Sequence, residues 1–575
     1  MIDAEKILKE TYPDLKNWKN NKAVLVMLRK LLHEQDFNHF IEKNQHLRGF
    51  AFLDELLRYF QFSYQISPES YQNIPSEGAL VIVANHPIGT LDGLALVKLI
   101  RSVRPDVRIV ANRVLSHMIA LESVFLPIDV LSTTKKAHKK AYKAMLEALN
   151  NQEAVIIFPA GEVSRITPKG VRDGQWKTGF LKLAKKVRCP ILPINIKAKN
   201  SSLFYFVSML YKPMGTLLLT QEMFNKKQQE IKFKVGLPIP YSAFAGDDYS
   251  KKELSQRFRK HTLSLGKKKQ RKNLFETFIT IAHPGDSKAL KKALFKSRLL
   301  GQTRDNKKIF LYRYQENCPV MREVARLREL TFRTVEEGTG ESLDMDKFDI
   351  YYCHLILWDE EDLEIIGAYR IGEGDKIVAT HGTEGFYTHT LFNFSDEFCS
   401  ILPQSIELGR SFVQPRYWGQ RSLDYLWYGI GAYLREQPNV KYLFGPVSIS
   451  DAYSQQAKEI IISFYNQQFG SENKLAKARK PFTVSKKNQQ FAQTEFQHDY
   501  RTSFKVLNKE LKKLGVKVPT LYKQYVELCD ESGCHFIDFN IDPDFNNCID
   551  SLIMVELDKI TAKKRQRYIG EGLAA

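Results

Sequence analysis

The sequence predicts two successive folds, an α/β layered domain followed by an α+β domain. Three observations predict this. The chain has 575 residues, long enough for more than one domain. From about residue 75 to 240 short apolar runs alternate with amphipathic segments, the pattern of a sheet flanked by helices. From about residue 306 onward the sequence is rich in strands, with a few long helices.

Residues 1–70 carry Leu31, Leu32, Phe37, Phe50, Phe52, Leu53, Leu56, Leu57 and Phe60 at helical spacing, with charges between. Two readings stay open here: an amphipathic platform lying on a bilayer, or helices packed on the following domain. In 71–245 the expected strands are Leu80–Ala84, Val107–Ala111, Ala154–Phe158, Ile191–Ile196 and Ile231–Val235. The expected helices are Leu91–Arg101, Lys135–Leu149 and Trp176–Val187. Residues 246–305 read as a basic helical linker containing the run from Lys267 to Lys272. In 306–575 the expected strands are Ile309–Tyr314, Tyr351–Trp358, Glu364–Ile371, Ser405–Val413 and Tyr442–Phe444. The helices there are Val320–Phe332, Arg421–Arg435 and Ala452–Asn466.

Composition is that of a folded protein, at 43% hydrophobic, 12% aromatic and 26% charged. No apolar run reaches transmembrane length. Asp3, Glu5 and Glu10 sit where a secretory signal needs its apolar core. The seven Cys form no C-x-x-C pair and fit neither a disulfide framework nor structural zinc. A net charge of +20 favours an anionic partner, a membrane surface or an acidic carrier protein. No zinc finger or RNA-binding signature supports nucleic acid.

Two motifs carry chemistry in the first half. An apolar strand ends in Asn85-His86, Pro87 and Gly89 force a turn, Thr90 can cap the next helix, and Asp92 lies in its first turn. On a continuous helix positions six apart are about 120° apart, so the intervening turn is what allows His86 and Asp92 to meet. Asp92 then fixes the imidazole, leaving its other nitrogen to deprotonate a hydroxyl. After a later strand comes Phe158-Pro159-Ala160-Gly161-Glu162-Val163-Ser164-Arg165.

This pair of motifs resembles the glycerolipid, or lysophospholipid, acyltransferase family. Two departures, five residues between His86 and Asp92 and Ala160 in place of the acidic residue before Gly161, look like its ornithine-lipid branch. By that resemblance His86 is the base and Asp92 its partner. Gly161, Glu162, Ser164 and Arg165 shape the acceptor pocket, where Arg165 can pair with a carboxylate or phosphate. Asn112 and Arg113 stand at a middle motif, and Asp173 and Trp176 line the acyl path.

In the second half, Ser405–Val413 alternates faces as a strand, placing Glu407 and Ser411 on one side, and Gly409 marks a bulge or a close backbone approach. This region resembles the amino-acid N-acyltransferases of ornithine-lipid synthesis, related to acyl-homoserine-lactone synthases and the GNAT fold. Arg328, Phe332, Asp349, His354, Arg370, Glu407 and Arg410 match that pattern. Glu407 would take the amine proton, and Arg370 and Arg410 would hold the amino-acid carboxylate or a carrier phosphate.

The two halves together resemble the bifunctional ornithine-lipid synthases. The resemblance implies N-acylation of an amino acid by a 3-hydroxyacyl thioester, then O-acylation of the lyso-aminolipid. It implies acyl carrier protein or acyl-CoA as donor, no bound cofactor or metal, and a cytoplasmic enzyme peripheral on the inner membrane. The alternative is a 1-acylglycerol-3-phosphate acyltransferase with a regulatory C-terminal domain.

Overall fold

A computed structural model describes residues 22–112, 119–128, 135–168, 170–210, 212–226, 228–246, 249–267, 273–471, 475–530 and 532–570. The chain forms two compact units, Met1–His283 and Pro284–Ala575.

The strands of the first unit are β1 (Ser63–Gln65), β2 (Leu80–Ala84), β3 (Val107–Asn112), β4 (Phe125–Ile128), β5 (Ala154–Ile157), β6 (Arg165–Thr167), β7 (Gly170–Arg172), β8 (Ile191–Lys197) and β9 (Glu230–Val235). Seven of them make one sheet in the order β1-β9-β8-β2-β5-β3-β4, and β6 and β7 form a separate hairpin. Pairing is parallel from β8 through β2, β5 and β3 to β4, while β8 and β9 run antiparallel.

β2 is buried along its whole length because both faces are covered. Leu80, Ile82 and Ala84 pack with Phe52, Leu53 and Leu56 of the helix Gly49–Tyr59 and with Leu94 and Val97 of the helix Thr90–Arg101. Val81 and Val83 pack on the other face against Phe180 and Leu183 of the helix Gly179–Val187. Each such burial contributes about 1.5–3 kcal/mol, so the strand that leads into His86 is held rigidly.

One of the two open readings of the N-terminal helices fits this core, and one expectation changes. Leu32, Phe37, Phe40 and the apolar side chains from Phe52 to Phe60 lie in this core, so these helices pack on the sheet. The segment 246–305 is not a free-standing linker. The helix Lys251–Leu265 buries Leu254 and Phe258 in the first unit's core. The helix Ser287–Leu294 buries Leu290 and Leu294 in the second unit's core. The basic run from Lys268 to Lys272 lies outside the described residues.

The second unit has β10 (Arg298–Gln302), β11 (Lys308–Arg313), β12 (Cys353–Asp359), β13 (Glu364–Glu373), β14 (Phe392–Phe394), β15 (Ser405–Val413), β16 (Tyr442–Ile449), β17 (Ala476–Ala478), β18 (Cys534–Asp542) and β19 (Cys548–Glu556). Eight strands form a sheet in the order β10-β11-β12-β13-β15-β16-β19-β18, and β14 pairs with β17. The helix Pro319–Thr334 covers one face, and Ser422–Leu434 and Gln455–Phe469 cover the other. β10, β18 and β19 were not foreseen from the sequence.

Two irregularities shape this sheet. β15 and β16 run parallel but pair only from Ser405–Tyr442 to Glu407–Phe444, after which the ladder stops. β15 also carries the expected bulge. Ala368 and Arg370 of β13 pair with Phe412 and Gly409, so β15 has one extra residue, and Arg410 adopts φ +46°. The bulge overturns the expected alternation: Ser411 faces Tyr369 in the core, on the side opposite Glu407.

Two candidate active sites

The first site forms where β2 ends. Asn85 locks β2 to β8: its Nδ2 donates to the Ile196 carbonyl at 2.9 Å and its Oδ1 accepts the Ile196 N–H at 2.8 Å. Gly89 has φ +101°, a conformation that L side chains rarely adopt, and it turns the chain into the helix Thr90–Arg101. Thr90 does not cap that helix. The buried Asp92 serves the turn instead: its Oδ2 accepts the Ile88 N–H at 2.9 Å.

Asp92 Oδ1 lies 2.8 Å from His86 Nδ1, as the turn predicted. The His86 ring stacks on Phe158, with centroids 4.0 Å apart and planes at 20°. Its side chain is 19% exposed while that of Asp92 is fully buried, so the imidazole alone reaches the surface. With Nδ1 on Asp92, Nε2 is the nitrogen free to take a proton. Burial pulls the His86 pKa down, but the charge of Asp92, its hydrogen bond and the charge of Asp173 outweigh burial and raise it.

Asp173 is not on an open acyl path. It is 1% exposed and ties the two motifs together. Its Oδ1 accepts the His86 N–H at 3.2 Å and the Ser164 hydroxyl at 2.5 Å. Its Oδ2 accepts the Trp176 indole N–H at 3.0 Å. The Ser164 N–H also donates to the His86 carbonyl at 2.7 Å. Ser164 and Trp176 are therefore committed to this staple. Gly161 and Glu162 stand exposed beside it. Arg165 donates to the Ser208 hydroxyl, lies 3.9 Å from Glu162 and sits over the Phe204 ring at 5.4 Å. The side chain of Asn112 and all of Arg113 lie outside the described residues.

The second site lies on one face of the second sheet. Arg328, fully buried, donates from Nη1 to Asp349 Oδ1 at 2.7 Å and from Nη2 to His354 Nδ1 at 3.2 Å. His354 Nε2 donates to the Asp349 carbonyl at 3.1 Å, which fixes a neutral tautomer. Burial and then Arg328 push the His354 pKa down to about 4. Arg370 donates from Nη1 to Asp346 at 2.6 Å and to Asp349 at 3.2 Å. Burial works against ionised Asp349, but Arg328 and Arg370 outweigh it and hold the carboxyl well below the usual range. Arg410 lies 3.3 Å from Asp344 and 3.7 Å from Asp346. The Tyr387 ring sits under both guanidiniums, at 5.1 Å from Arg370 and 4.8 Å from Arg410. Phe332 packs edge-on to Phe545 at 5.1 Å and walls the site.

Glu407 is 1% exposed and both its oxygens are engaged. Oε1 accepts the Thr388 N–H at 2.7 Å, and Oε2 accepts the Tyr387 N–H at 3.1 Å and the Tyr352 hydroxyl. It anchors the loop that carries Tyr387.

The structure thus brings Arg328, Asp349, Arg370, Glu407 and Arg410 together, and it adds Asp344, Asp346, Tyr352 and Tyr387, which sequence reasoning missed. The close acidic spacing of Asp344, Asp346 and Asp349 was the available signal.

A family model described as an acyltransferase matches residues 6–269, and one described as an acetyltransferase (GNAT) domain matches residues 327–428. A glycine N(alpha)-acyltransferase of Phocaeicola vulgatus is 33% identical over 302 residues, which is 50% of this chain and 92% of that protein. A lyso-glycine lipid O-acyltransferase of Bacteroides thetaiotaomicron is 29% identical over 253 residues, 42% of this chain and 90% of that protein. An L-ornithine N(alpha)-acyltransferase of Brucella abortus is 29% identical over 140 residues, 22% of this chain and 48% of that protein. The chain belongs to the acyltransferase family of aminolipid synthesis that includes the glycine N(alpha)-acyltransferases, and it joins an acyltransferase domain to a GNAT-like domain.

Proposed function

We propose that this chain makes a diacylated glycine lipid in two steps. The observation that carries the proposal is that a glycine N-acyltransferase and a lyso-glycine lipid O-acyltransferase each align over about nine-tenths of their own length with this one chain. The second unit transfers a 3-hydroxyacyl group from a carrier thioester, acyl carrier protein or coenzyme A, to the α-amine. The first unit then esterifies the new hydroxyl with a second acyl chain.

In the first unit, His86 Nε2 takes the hydroxyl proton as the oxygen attacks the thioester carbonyl, and Asp92 stabilises the imidazolium. The C–S bond breaks and the proton passes to the departing thiolate. Arg165 pairs with the glycine carboxylate of the lyso-lipid.

In the second unit, the strands β15 and β16 part beyond Glu407 and Phe444, which suits an extended, amide-bearing pantetheine arm. Arg370 and Arg410 hold the amino-acid carboxylate. Glu407 acts as a positioning residue through Tyr352 and the 387–388 loop.

The helix Ser202–Leu210 exposes Leu203, Phe206, Met209 and Leu210, while Phe204 and Tyr205 pack with Val163 next to Arg165. Positions three and four apart share a helix face, and this face meets the bilayer from which the lyso-lipid arrives. The basic surface favours anionic lipid and an acidic carrier protein, as expected of a peripheral enzyme on the cytoplasmic side of the inner membrane.

The test is lipid mass spectrometry on a host without aminolipids that expresses this chain. The wild type should yield a diacyl glycine lipid, His86→Ala only the monoacyl form, and Glu407→Ala neither. A phosphatidic acid product with no aminolipid in any strain would favour the alternative, glycerolipid acylation.

A further inference from the structure

Three carboxyl groups of the second unit have no part in the scheme above. Asp550 of β19 stands opposite Ser448 of β16 on one side and Asn540 of β18 on the other. The Ser448 hydroxyl donates to Glu337 at 3.0 Å, and the Tyr387 hydroxyl donates to Asp542 at 3.4 Å. Asp550 is 5% exposed, and its carboxyl group makes no hydrogen bond or ion pair among the described residues. It faces Asp542, Glu337 and Arg410, and Arg410 is already shared with Asp344 and Asp346. A buried carboxylate is costly unless a cation or donor meets it, so this corner is short of a cation.

Unpaired donors lie beside it. Arg370 is fully buried, and its Nε and Nη2 have no hydrogen-bond acceptor among the described residues. Both Arg370 and Arg410 sit over the ring of Tyr387, whose hydroxyl reaches Asp542. Open donors and an open acceptor therefore meet around one tyrosine. That is the complement of a zwitterion, a carboxylate and an ammonium on neighbouring atoms.

We infer that Asp550 receives the ammonium group of the amino-acid substrate and takes its proton, while Arg370 and Arg410 hold the carboxylate. The inference rests on the reading of the second unit as an amino-acid N-acyltransferase and names the acceptor-binding residue of that site. The ammonium gives one proton to the Asp550 carboxylate. The freed amine forms the C–N bond to the thioester carbonyl as the C–S bond breaks. The second nitrogen proton goes to the thiolate, and Asp550 returns its own proton to solvent.

Burial, followed by Asp542 and Glu337, raises the Asp550 pKa well above the carboxylate range, and burial raises that of Glu337 to about 7. The arriving ammonium supplies the charge that lets Asp550 ionise. Cys548, Tyr387 and Tyr522 are its other titratable neighbours, and burial shifts all three upward, keeping them protonated.

The test measures glycine N-acylation by the purified full chain with a 3-hydroxyacyl thioester. For Asp550→Asn, kcat/KM should fall about 100-fold near neutral pH. The activity should recover as pH rises and free amine accumulates, while the wild type stays flat. A loss below about threefold, or one that does not vary with pH, overturns the inference. If the variant does not fold, acetate is titrated against glycine on the wild type. Acetate keeps the carboxylate and lacks the amine, so its inhibition constant should exceed the glycine KM by at least about tenfold. Equal competition overturns the inference. A wild type that acylates no amino acid overturns the parent reading and this assignment together, an outcome distinct from an active wild type with an unaffected variant.

Discussion

Asp92 Oδ1 lies 2.8 Å from His86 Nδ1, while its other oxygen holds the Ile88 N–H at 2.9 Å. One fully buried carboxylate thus sets both the turn and the imidazole that the turn presents. Among the influences that raise the His86 pKa, the charge of Asp92 is the largest. A base works in its neutral form, so O-acylation should fall as pH drops through that pKa. Asp92→Asn should lower kcat by about 100-fold or more and move the acid limb to lower pH. A pH–rate profile of lyso-lipid O-acylation checks both, and an unmoved limb would rule out Asp92 as the tuning charge.

Asp173 accepts from the His86 backbone, the Ser164 hydroxyl and the Trp176 indole. It acts through position and not through a free carboxylate. Asp173→Ala should destabilise the first unit by about 1–3 kcal/mol, since it strands buried donors. Hydrogen exchange in β2 and in the segment 159–176 reports the loss. O-acylation should drop mainly in kcat, and Asp173→Asn, which keeps one acceptor oxygen, should restore part of it. Full loss with Asn and unchanged exchange would instead mark Asp173 as a chemical participant.

The sequence made legible what lies close along the chain. Leu80–Ala84 and Ser405–Val413 match β2 and β15 because turn residues bound them. His86 and Asp92 are near neighbours, so one turn decides their meeting. The Asp173 staple bridges 87 positions and left no local trace. Ser411 falls on the face opposite Glu407 because the bulge at Arg410 breaks the alternation that the spacing implies, and the partners that engage Glu407, Tyr352 and the 387–388 backbone, lie 55 and about 20 positions away. β18 and β19 were missed because Asp538, Asn540, Asp542 and Asp550 interrupt their apolar pattern. Asp542 and Asp550 face the second site.

His354 is buried with Nδ1 on Arg328 and Nε2 on the Asp349 carbonyl, and its pKa is pushed down to about 4. An unfolded histidine titrates near 6.5. Below that pH the unfolded chain binds a proton that the folded chain refuses, so stability is lost as pH falls from about 6.5 to 4. Asp349 adds to the acid lability: its depressed carboxyl stabilises the fold above the unfolded value of about 4, and that contribution fades below it. His354→Gln, which offers a donor and an acceptor at every pH, should flatten the upper part of this dependence. Arg328→Met should cost about 3–5 kcal/mol at neutral pH by stranding buried Asp349. Hydrogen exchange in β12 and β13 against pH measures both. A wild type with no loss between pH values of about 6.5 and 4 would mean that His354 is protonated in the fold.

Leu203 and Phe206 are 60% and 58% exposed on the helix whose inner face packs Phe204 beside Arg165. Water is a poor environment for two such side chains, and each contributes about 1.5–3 kcal/mol when buried in an apolar phase. Replacing both with Ser should weaken sedimentation with anionic vesicles by at least about tenfold. It should raise the KM for a lyso-lipid presented in a bilayer while leaving kcat nearly unchanged, because His86 and Asp92 are untouched. A short-chain lyso-acceptor dissolved in water should be acylated as well as by the wild type, since it needs no docking. N-acylation of soluble glycine should be equally indifferent. Unchanged vesicle binding would move the membrane contact to another exposed apolar face, and Val26 and Met27, at 63% and 56% exposed, are the next to test. A loss of kcat with the soluble acceptor would instead show that this helix shapes the acceptor pocket itself.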